Sequence, residues 1–471
     1  MSAFLSRHSG AAPRGKRLDV DMTQGSILKH IISFSFPLLL GNLFQQMYNT
    51  VDTWVLGNYV SNEAYSAVGA VAPVINMLIG AFMGLSSGAS VVISQYYGAG
   101  QQEKVSKTVH TSIVLTLILS VIFTAVGLLL IPTMLNILDL HTNATRDASI
   151  YLTIYFIGLL GLMIYNMGSG ILRAVGDSKR PFYFLVACAV LNTVLDLLFV
   201  LKFKMGVEGV ALATVLSQLI SAILVVITLL CSKSAVKLRL RSLSLDLKIL
   251  KRILYIGTPA ALQMAVTAFS NVFVQSYITH FDKGSLSPDY MSGWTSYLKV
   301  DQLLFLPMQS ISLAVTTFVG QNFGRMQIER AKKGVSISVI ISLTATAIMM
   351  IPVMIFAPEI VGFLNKRQEV IHHGTMFLRW LSPFYLLCCF NQIYASALRG
   401  FGNSRAPMIF MLSTFVGFRQ LYLFVMSRVC NEVIPIALSY PAGWLLCSLV
   451  TGIYYFSVKL DTGFITKELE N

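Results

Sequence analysis

Twelve long apolar runs constrain the fold of this sequence of 471 residues more than any other feature. A helix that crosses the hydrocarbon layer of a bilayer needs about 20 mostly apolar residues, and these runs reach or approach that length. They lie near residues 31–57, 66–93, 109–135, 149–172, 181–201, 208–231, 254–280, 294–319, 334–357, 374–397, 407–428 and 434–458. Only 12% of the residues are charged, whereas a soluble domain has about 25%. The sequence therefore predicts an all-α polytopic membrane protein.

The formal net charge of +14 would suggest a nucleic-acid partner on a soluble protein. Here the basic residues cluster in alternate connections between the apolar runs, as at 104–107 and 232–252. Cytoplasmic connections carry such an excess of Lys and Arg. We therefore expect no nucleic-acid partner, a multi-pass protein of the plasma membrane, which in bacteria is the cell inner membrane, and both termini in the cytoplasm. The first run is too long for a signal peptide.

Two halves of the chain match each other at one constant offset, which we call the repeat offset. SQYYGAGQQEKVSK at 94–107 matches GQNFGRMQIERAKK at 320–333, and ILRAVGDSKRPFYF at 171–184 matches ALRGFGNSRAPMIF at 397–410. Six spans per repeat imply two six-helix lobes related by a pseudo-two-fold axis along the membrane normal. The predicted divisions are a cytoplasmic segment at 1–30, an N-lobe at 31–231, a basic linker at 232–252, a C-lobe at 253–458 and a cytoplasmic tail at 459–471.

Two carboxylates within apolar runs form the main candidate site. Tyr48 precedes Asp52 by four residues and Asn192 precedes Asp196 by four, so each carboxylate shares a helix face with a polar partner. Counting from the span ends places both carboxylates and Thr214 in one layer, about 7–11 Å inside the external end. A charge at that depth is costly and is relieved by binding H⁺ or Na⁺. The alternative is that each carboxylate is shallow enough to reach the headgroups.

Weaker candidates lie elsewhere in the spans. Pro37 removes a backbone hydrogen bond from the helix that carries Asp52 and is a candidate hinge, and the alternative is a purely architectural kink. Gln263, Asn271 and Gln275 recur at helical spacing in the seventh span and are candidate residues of a substrate cavity. We expect no cofactor, and no metal other than a possible Na⁺ at the two carboxylates.

The sequence resembles the multidrug and toxic compound extrusion (MATE) antiporters over residues 22–459. The resemblance rests on MTQGSILKHIISFSFPLLL, NTVDTWVLG, SQYYGAG, VGQNFG and the LRAVGDSKRP and LRGFGNSRAP pair. It implies two V-shaped lobes, a coupling site at Tyr48, Asp52, Asn192, Asp196 and Thr214, and a bent-helix proline at Pro37. TPAALQMAVTAFSN in the seventh span lacks the acidic residue of members with a C-lobe sodium site, which favours the DinF-like branch.

The resemblance further implies export of lipophilic, often cationic, organic compounds in exchange for H⁺ or Na⁺ by alternating access. A lipid-linked glycan or lipid flippase is the alternative, and Arg419 and Lys299 are the residues that favour it. An enzyme is not expected: GAAPRGK at 10–16 continues with Arg17 rather than Ser or Thr, and no HExxH occurs. The expected partners are small organic substrates and the bilayer, with the chain acting as a monomer.

Overall fold

The computed structural model describes residues 19–138, 142–282, 290–430 and 432–458. Within these ranges the chain forms seventeen α-helices and no strand. They are α1 Ile27–Val55, α2 Asn62–Gly98, α3 Gln102–Leu138, α4 Thr142–Ile157, α5 Leu159–Ala174, α6 Lys179–Leu197, α7 Val207–Cys231, α8 Leu247–Asp282, α9 Tyr290–Gly324, α10 Ile328–Ile355, α11 Ala357–Leu364, α12 Gln368–Leu381, α13 Tyr385–Gly400, α14 Arg405–Leu412, α15 Arg419–Val429, α16 Val433–Ala437 and α17 Ser439–Ser457. The predicted tail at 459–471 and positions 1–18 of the predicted N-terminal segment lie outside the described residues.

Each of the twelve apolar runs corresponds to a helix or to consecutive helical segments. Ten helices in the described residues are long and apolar enough to cross a membrane, and α4 with α5 makes an eleventh if the pair, bent by 48°, is one span. The tenth predicted run is divided into α12 and α13 by a 3₁₀ turn at Ser382–Phe384. The predicted all-α membrane fold is confirmed.

The exposed surface of these helices is strongly apolar. Val121, Leu129, Phe363 and Phe456 are each at least 70% exposed. A water-soluble protein would bury such side chains, whereas the acyl chains of a bilayer cover them at no cost. These exposed apolar side chains therefore form the lipid-facing surface of the helices.

The sequence repeat is visible in the helix bounds. α6 begins at Lys179 and α14 at Arg405, while α7 begins at Val207 and α16 at Val433, and both pairs are separated by the repeat offset. The lobes are thus duplicated element by element. The linker is shorter than predicted, because α8 begins at Leu247 rather than near residue 254.

Two glutamines hold the lobes together at the end predicted to be cytoplasmic. Gln95 Nε2 of the N-lobe donates to the Gly400 carbonyl of the C-lobe at 2.9 Å, and Gln321 Nε2 of the C-lobe donates to the Ala174 carbonyl of the N-lobe at 3.0 Å. Both glutamines are fully buried. Donors and acceptors are equivalent at the repeat offset, so the two bonds are copies of one contact. We call this arrangement the paired closure.

Two glycines allow the backbones to meet within the paired closure. A Cβ atom at Gly98 would lie 1.9 Å from the Gln321 carbonyl oxygen, and one at Gly324 would lie 1.9 Å from the Gln95 carbonyl oxygen. No larger residue fits at either position without moving the two lobes apart. These glycines are also equivalent at the repeat offset.

The connection before α6 is capped by a buried carboxylate. Asp177 Oδ1 accepts from the backbone N–H groups of Lys179 and Arg180, both at 3.1 Å. The equivalent residue in the C-lobe is Asn403, whose Oδ1 accepts from the Ala406 N–H at 3.1 Å. The two lobes therefore satisfy the same helix start with an acid in one case and an amide in the other.

Candidate functional site

Three helices of the N-lobe bring the predicted polar residues together. The Thr214 hydroxyl of α7 lies 3.4 Å from Asp52 Oδ2 of α1, and Asn192 Nδ2 of α6 lies 3.5 Å from the same hydroxyl. Asp52 is partly buried, while Asn192 and Thr214 are buried. The residues predicted to share a layer are thus in contact.

Asp196 completes this group from the interior of the lobe. Its side chain is fully buried, and its carboxyl lies close enough to that of Asp52 for the two groups to interact electrostatically. Two carboxylates this close repel each other when both are ionised, so a proton or a metal cation would stabilise the pair.

Four buried oxygen atoms of this group accept no hydrogen bond from a donor elsewhere in the described residues. They are Asp52 Oδ1, Asn192 Oδ1, Asp196 Oδ1 and Asp196 Oδ2. Buried acceptors of this kind are rare and costly in proteins. All four are acceptor oxygens, so a proton, a metal cation or a donating water molecule would satisfy them. The same oxygens, with the Thr214 hydroxyl, are of the type that hard metal ions prefer.

Thr214 can change partners as the charge on Asp52 changes. Its hydroxyl also lies 3.0 Å from the Val210 carbonyl, yet it has a single proton to donate. With Asp52 ionised, the proton is best placed towards the carboxylate. With Asp52 neutralised, the backbone carbonyl is the stronger acceptor. The hydroxyl therefore has two alternative acceptors, and the charge on Asp52 decides which of them is favoured.

Aromatic side chains enclose the group on its inner side. Tyr48 is 8% exposed and lies beside Gln45 and Cys188 rather than bonding to Asp52. Tyr151 and Tyr155 of α4 stack with ring centroids 6.3 Å apart and are buried, and Tyr151 is close enough to the pair to interact with Asp52. The two α4 tyrosines were not predicted, because nothing local in the sequence marks them as neighbours of α1.

Each carboxylate is followed closely by a π-helical segment. One covers Leu56–Val60 after Asp52 and the other covers Leu198–Lys202 after Asp196. Such segments are rare and frequently occur at functional sites, where they shift the register of a helix face. Neither was predicted from the sequence.

The weaker candidate residues lie in α1 and α8. Pro37 lies within a continuous α1, so its role as a hinge stays a prediction. Gln263 is buried and accepts from Arg399 Nη1 at 3.5 Å, which places it in the interior of the C-lobe. Asn271 and Gln275 are exposed on α8, where polar side chains would be unfavourable against lipid. They therefore suit a wall of a water-filled space between the lobes.

A third membrane carboxylate lies in the C-lobe and was not among the predicted site residues. Asp301 Oδ1 accepts from the hydroxyls of Tyr297, at 3.3 Å, and Tyr385. The two hydroxyls are 3.1 Å apart. Unlike Asp196, this carboxylate is satisfied by protein donors.

A protein metal cage is not evident in the part of the chain that the structure describes. No three or more His, Cys, Asp or Glu residues are grouped there as ligands. The possible Na⁺ at Asp52 and Asp196 would rely on two carboxylates with amide and hydroxyl oxygens, and it stays a prediction.

A comparison with protein families identifies the duplicated lobes. The family model described as MatE matches residues 37–198 and again residues 259–425, one match in each lobe. The chain belongs to the MatE family. The predicted resemblance is confirmed at this level, and the DinF-like branch stays a prediction.

Relatives in the MatE family extend over nearly the whole chain. The "Probable multidrug resistance protein YoeA" of Bacillus subtilis (strain 168) is 26% identical over 439 residues, which cover 91% of this chain and 94% of that protein. The "FAD transporter" of Shewanella oneidensis is 22% identical over 442 residues and covers 91% and 94%. A solved structure described as the outward-facing conformation of a multidrug resistance MATE family transporter has a TM-score of 0.88 at 23% identity, covering 97% and 100%. This MatE protein is therefore a polytopic membrane protein with the fold of known transporters.

Proposed function

We propose that this MatE protein exports lipophilic, often cationic, organic compounds in exchange for H⁺ or Na⁺, with Asp52 and Asp196 as the coupling site. The observation that carries the proposal is the group of four buried oxygens around this pair that lack a donor among the described residues. A proton or a metal cation bound between the two carboxyl groups would both satisfy these atoms and neutralise their charge. Multidrug resistance proteins among the relatives support the substrate class.

The coupling follows from the charge on the pair. An ionised carboxylate at membrane depth costs at least about 2.5–3.5 kcal/mol on insertion scales, so cation binding stabilises any state in which the site is closed off from water. A cationic substrate near Asp52 would compete with the coupling ion for the same negative charge. Each ligand then lowers the affinity for the other, and this reciprocity is the thermodynamic basis of exchange.

Alternating access in this proposal is the rocking of the lobes about the paired closure. With Gln95 and Gln321 bonded across the lobes, the predicted cytoplasmic end is shut. Exposed polar side chains on α1 and α8, such as Thr53 and Asn271, then line an outward-facing space. Breaking the paired closure would open the predicted cytoplasmic end.

We also propose the location and assembly state of the protein. It acts as a monomer in the plasma membrane with both termini in the cytoplasm, uses no cofactor and catalyses no chemical reaction. The basic connections support this orientation. Labelling of a single cysteine at Lys104 from either side of intact cells tests it.

A lipid-linked glycan or lipid flippase is the second candidate. It is favoured by Arg419, a buried cation inside the C-lobe. Flippases of anionic headgroups need positive charge in the cavity, whereas export of organic cations does not. Transport of a fluorescent anionic lipid with no movement of organic cations would favour this candidate.

The proposal is tested in proteoliposomes that carry an imposed pH or Na⁺ gradient. Ethidium movement should be driven by one of these gradients, and Asp196→Asn should abolish the driven component. Asp301→Asn is the matched control, because it alters a half-buried carboxylate that protein hydroxyls already satisfy. Full gradient-driven movement in Asp196→Asn and Asp52→Asn would contradict the assignment of the coupling site.

A further inference from the structure

Arg419 occupies the C-lobe position that corresponds to the N-lobe carboxylate site. At the repeat offset it is equivalent to Thr193, the residue next to Asn192. Its side chain is 2% exposed, and it directly follows a π-helical segment at Ser413–Phe418. Every π-helical segment in the described residues thus lies beside a charged residue at membrane depth. The two lobes carry opposite charges at related places.

The guanidinium of Arg419 has one satisfied end and one free edge. Nη1 donates to Asn271 Oδ1 at 2.9 Å. Nε is completely buried and has no acceptor, and Nη2 makes no hydrogen bond with a described residue. The Nε and Nη2 hydrogens are parallel, and together they form the fork that binds both oxygens of a carboxylate or phosphate. That fork is the part of Arg419 left unpaired.

Two other buried arginines do not share this feature. Arg252 donates through Nη1 to Tyr96 and through Nη2 to Gln95. Arg399 donates through Nη1 to Gln263 and through Nη2 to Ser396. Both of their terminal nitrogens have protein acceptors, so Arg419 differs from them in its unused donors.

No carboxylate among the described residues forms an ion pair with Arg419. Asp301 is near enough for an electrostatic interaction but is not within ion-pair distance, and its Oδ1 is already bonded to two tyrosine hydroxyls. The rings of Tyr440 and Phe415 lie 4.3 and 5.3 Å from the guanidinium carbon and stabilise the cation. Aromatic faces offer no in-plane acceptor to Nε, so the cost of an unsatisfied buried donor remains.

We propose that the C-lobe contains an oxyanion site in which the Nε and Nη2 edge of Arg419 binds the carboxylate of an amphipathic aromatic acid or zwitterion. Tyr440 and Phe415 supply the aromatic surroundings, and the exposed Asn271 marks the side from which the ligand enters. As a statement about substrates this assignment rests on the proposed transport function. The binding itself requires neither a gradient nor the Asp52 site.

The test compares 2-naphthoate with 2-naphthamide, which differ chiefly in the charge of one group. Calorimetric titration of the full-length protein in phosphatidylcholine nanodiscs should show naphthoate binding about tenfold tighter or more. Arg419→Gln should remove this preference, and Arg419→Lys should keep only a small part of it, because an ammonium lacks the fork. Asp301→Asn should strengthen naphthoate binding by removing a nearby negative charge.

Control variants separate this site from other effects. Arg399→Gln alters a buried arginine of the same lobe and should keep the preference, while Asp52→Asn should keep it even if coupled export is lost. Failure of this assignment is therefore distinguishable from failure of the coupling site. If Arg419→Gln does not fold, Arg419→Lys and Asp301→Asn still decide the question, and wild-type binding in both would overturn the assignment.

Two further outcomes would also overturn it. One is equal binding of naphthoate and naphthamide by the unaltered protein. The other is that phosphatidylglycerol in the nanodisc displaces naphthoate from the wild type but has no effect on Arg419→Lys, which would identify a lipid phosphate as the occupant.

Discussion

The paired closure predicts that a single methyl group will open the protein at the end predicted to be cytoplasmic. Replacing Gly98 or Gly324 by alanine places a Cβ atom 1.9 Å from a main-chain carbonyl oxygen of the other lobe, whereas ordinary contacts of such atoms begin near 3.4 Å. The shortfall between these two distances must be absorbed by movement of the backbones. No side-chain rotation relieves it, because the opposing atom belongs to the main chain of Gln321 or Gln95.

The expected energy is that of overpacking a tight contact, about 1–3 kcal/mol. Neither glycine has a positive φ, so alanine is compatible with its own helix and the penalty falls on the contact between the lobes. Converted to populations, the closed state should lose about five- to 150-fold relative to the open state. Combining both substitutions should give a larger shift than either alone.

Electron-paramagnetic-resonance distances between spin labels at Gln101 and Gln327 would measure this shift in a background without native cysteines. Gly98→Ala and Gly324→Ala should move population from the short distance to a longer one. Gly69→Ala is the matched control, because that glycine lies in the same helix as Gly98 and has open space around it. An unchanged distance distribution in both variants would refute the reasoning, since the strain would then be relieved within one lobe.

Three further outcomes follow from single contacts. Thr214→Val removes the hydroxyl beside Asp52 and should weaken the coupling ion's apparent affinity by about tenfold, seen in the pH or Na⁺ dependence of export. Gln321→Leu deletes one bond of the paired closure, together with the bond that Gln321 Oε1 accepts from the Met22 N–H, and should shift the same label distances by about fivefold in population. Burial raises the pKa of the Asp177 carboxyl above its usual value despite the backbone and Arg180 contacts. Ionisation therefore destabilises the folded state, so the melting temperature of the wild type should fall relative to Asp177→Asn as pH rises from about 4.

Each of these outcomes has its own control. Thr214→Ser keeps the hydroxyl and should restore ion affinity, so a defect equal to that of valine would point to packing instead. Gln321→Glu retains the size and the acceptor for the Met22 N–H, and its ionised form cannot donate to the Ala174 carbonyl, so normal closure at a pH where the new carboxyl is ionised would show that the bond is dispensable. A pH-independent difference between wild type and Asp177→Asn would show that the carboxyl is not the source of the effect.

Hydropathy and the repeat were enough to predict the spans and the two lobes, because apolar runs and matching segments can both be recognised in the sequence without knowledge of the packing. The bend between α4 and α5 was missed, since Gly158 is explained only by a distant residue: a Cβ there would lie 2.3 Å from Val215 Cγ2. The break at Ser382–Phe384 had a local signal in Pro383 that the apolar run obscured.

The candidate site was predicted only in part. Helical spacing and depth were sufficient to group Asp52, Asn192, Asp196 and Thr214, because polar side chains at one membrane depth tend to converge. Spacing could not show that Tyr151 borders them or that π-helical segments follow the acids, since these depend on how α4 and the helix ends pack. The identity of Gln95 and Gln321 was visible in the repeat, but equivalence does not reveal that each reaches into the opposite lobe.

The residues of the paired closure are equivalent in the two lobes, whereas the residues of the lobe interiors are not. Either half of the chain alone contains both a donating glutamine and an accepting carbonyl, at Gln95 and Ala174 in one half and at Gln321 and Gly400 in the other. A homodimer of one ancestral half would thus have had every contact needed to shut one face of the membrane. Because the closure needs only these equivalent residues, the two interiors can differ, with Asp52 and Asp196 in one and Arg419 in the other, without disturbing the contact between the lobes.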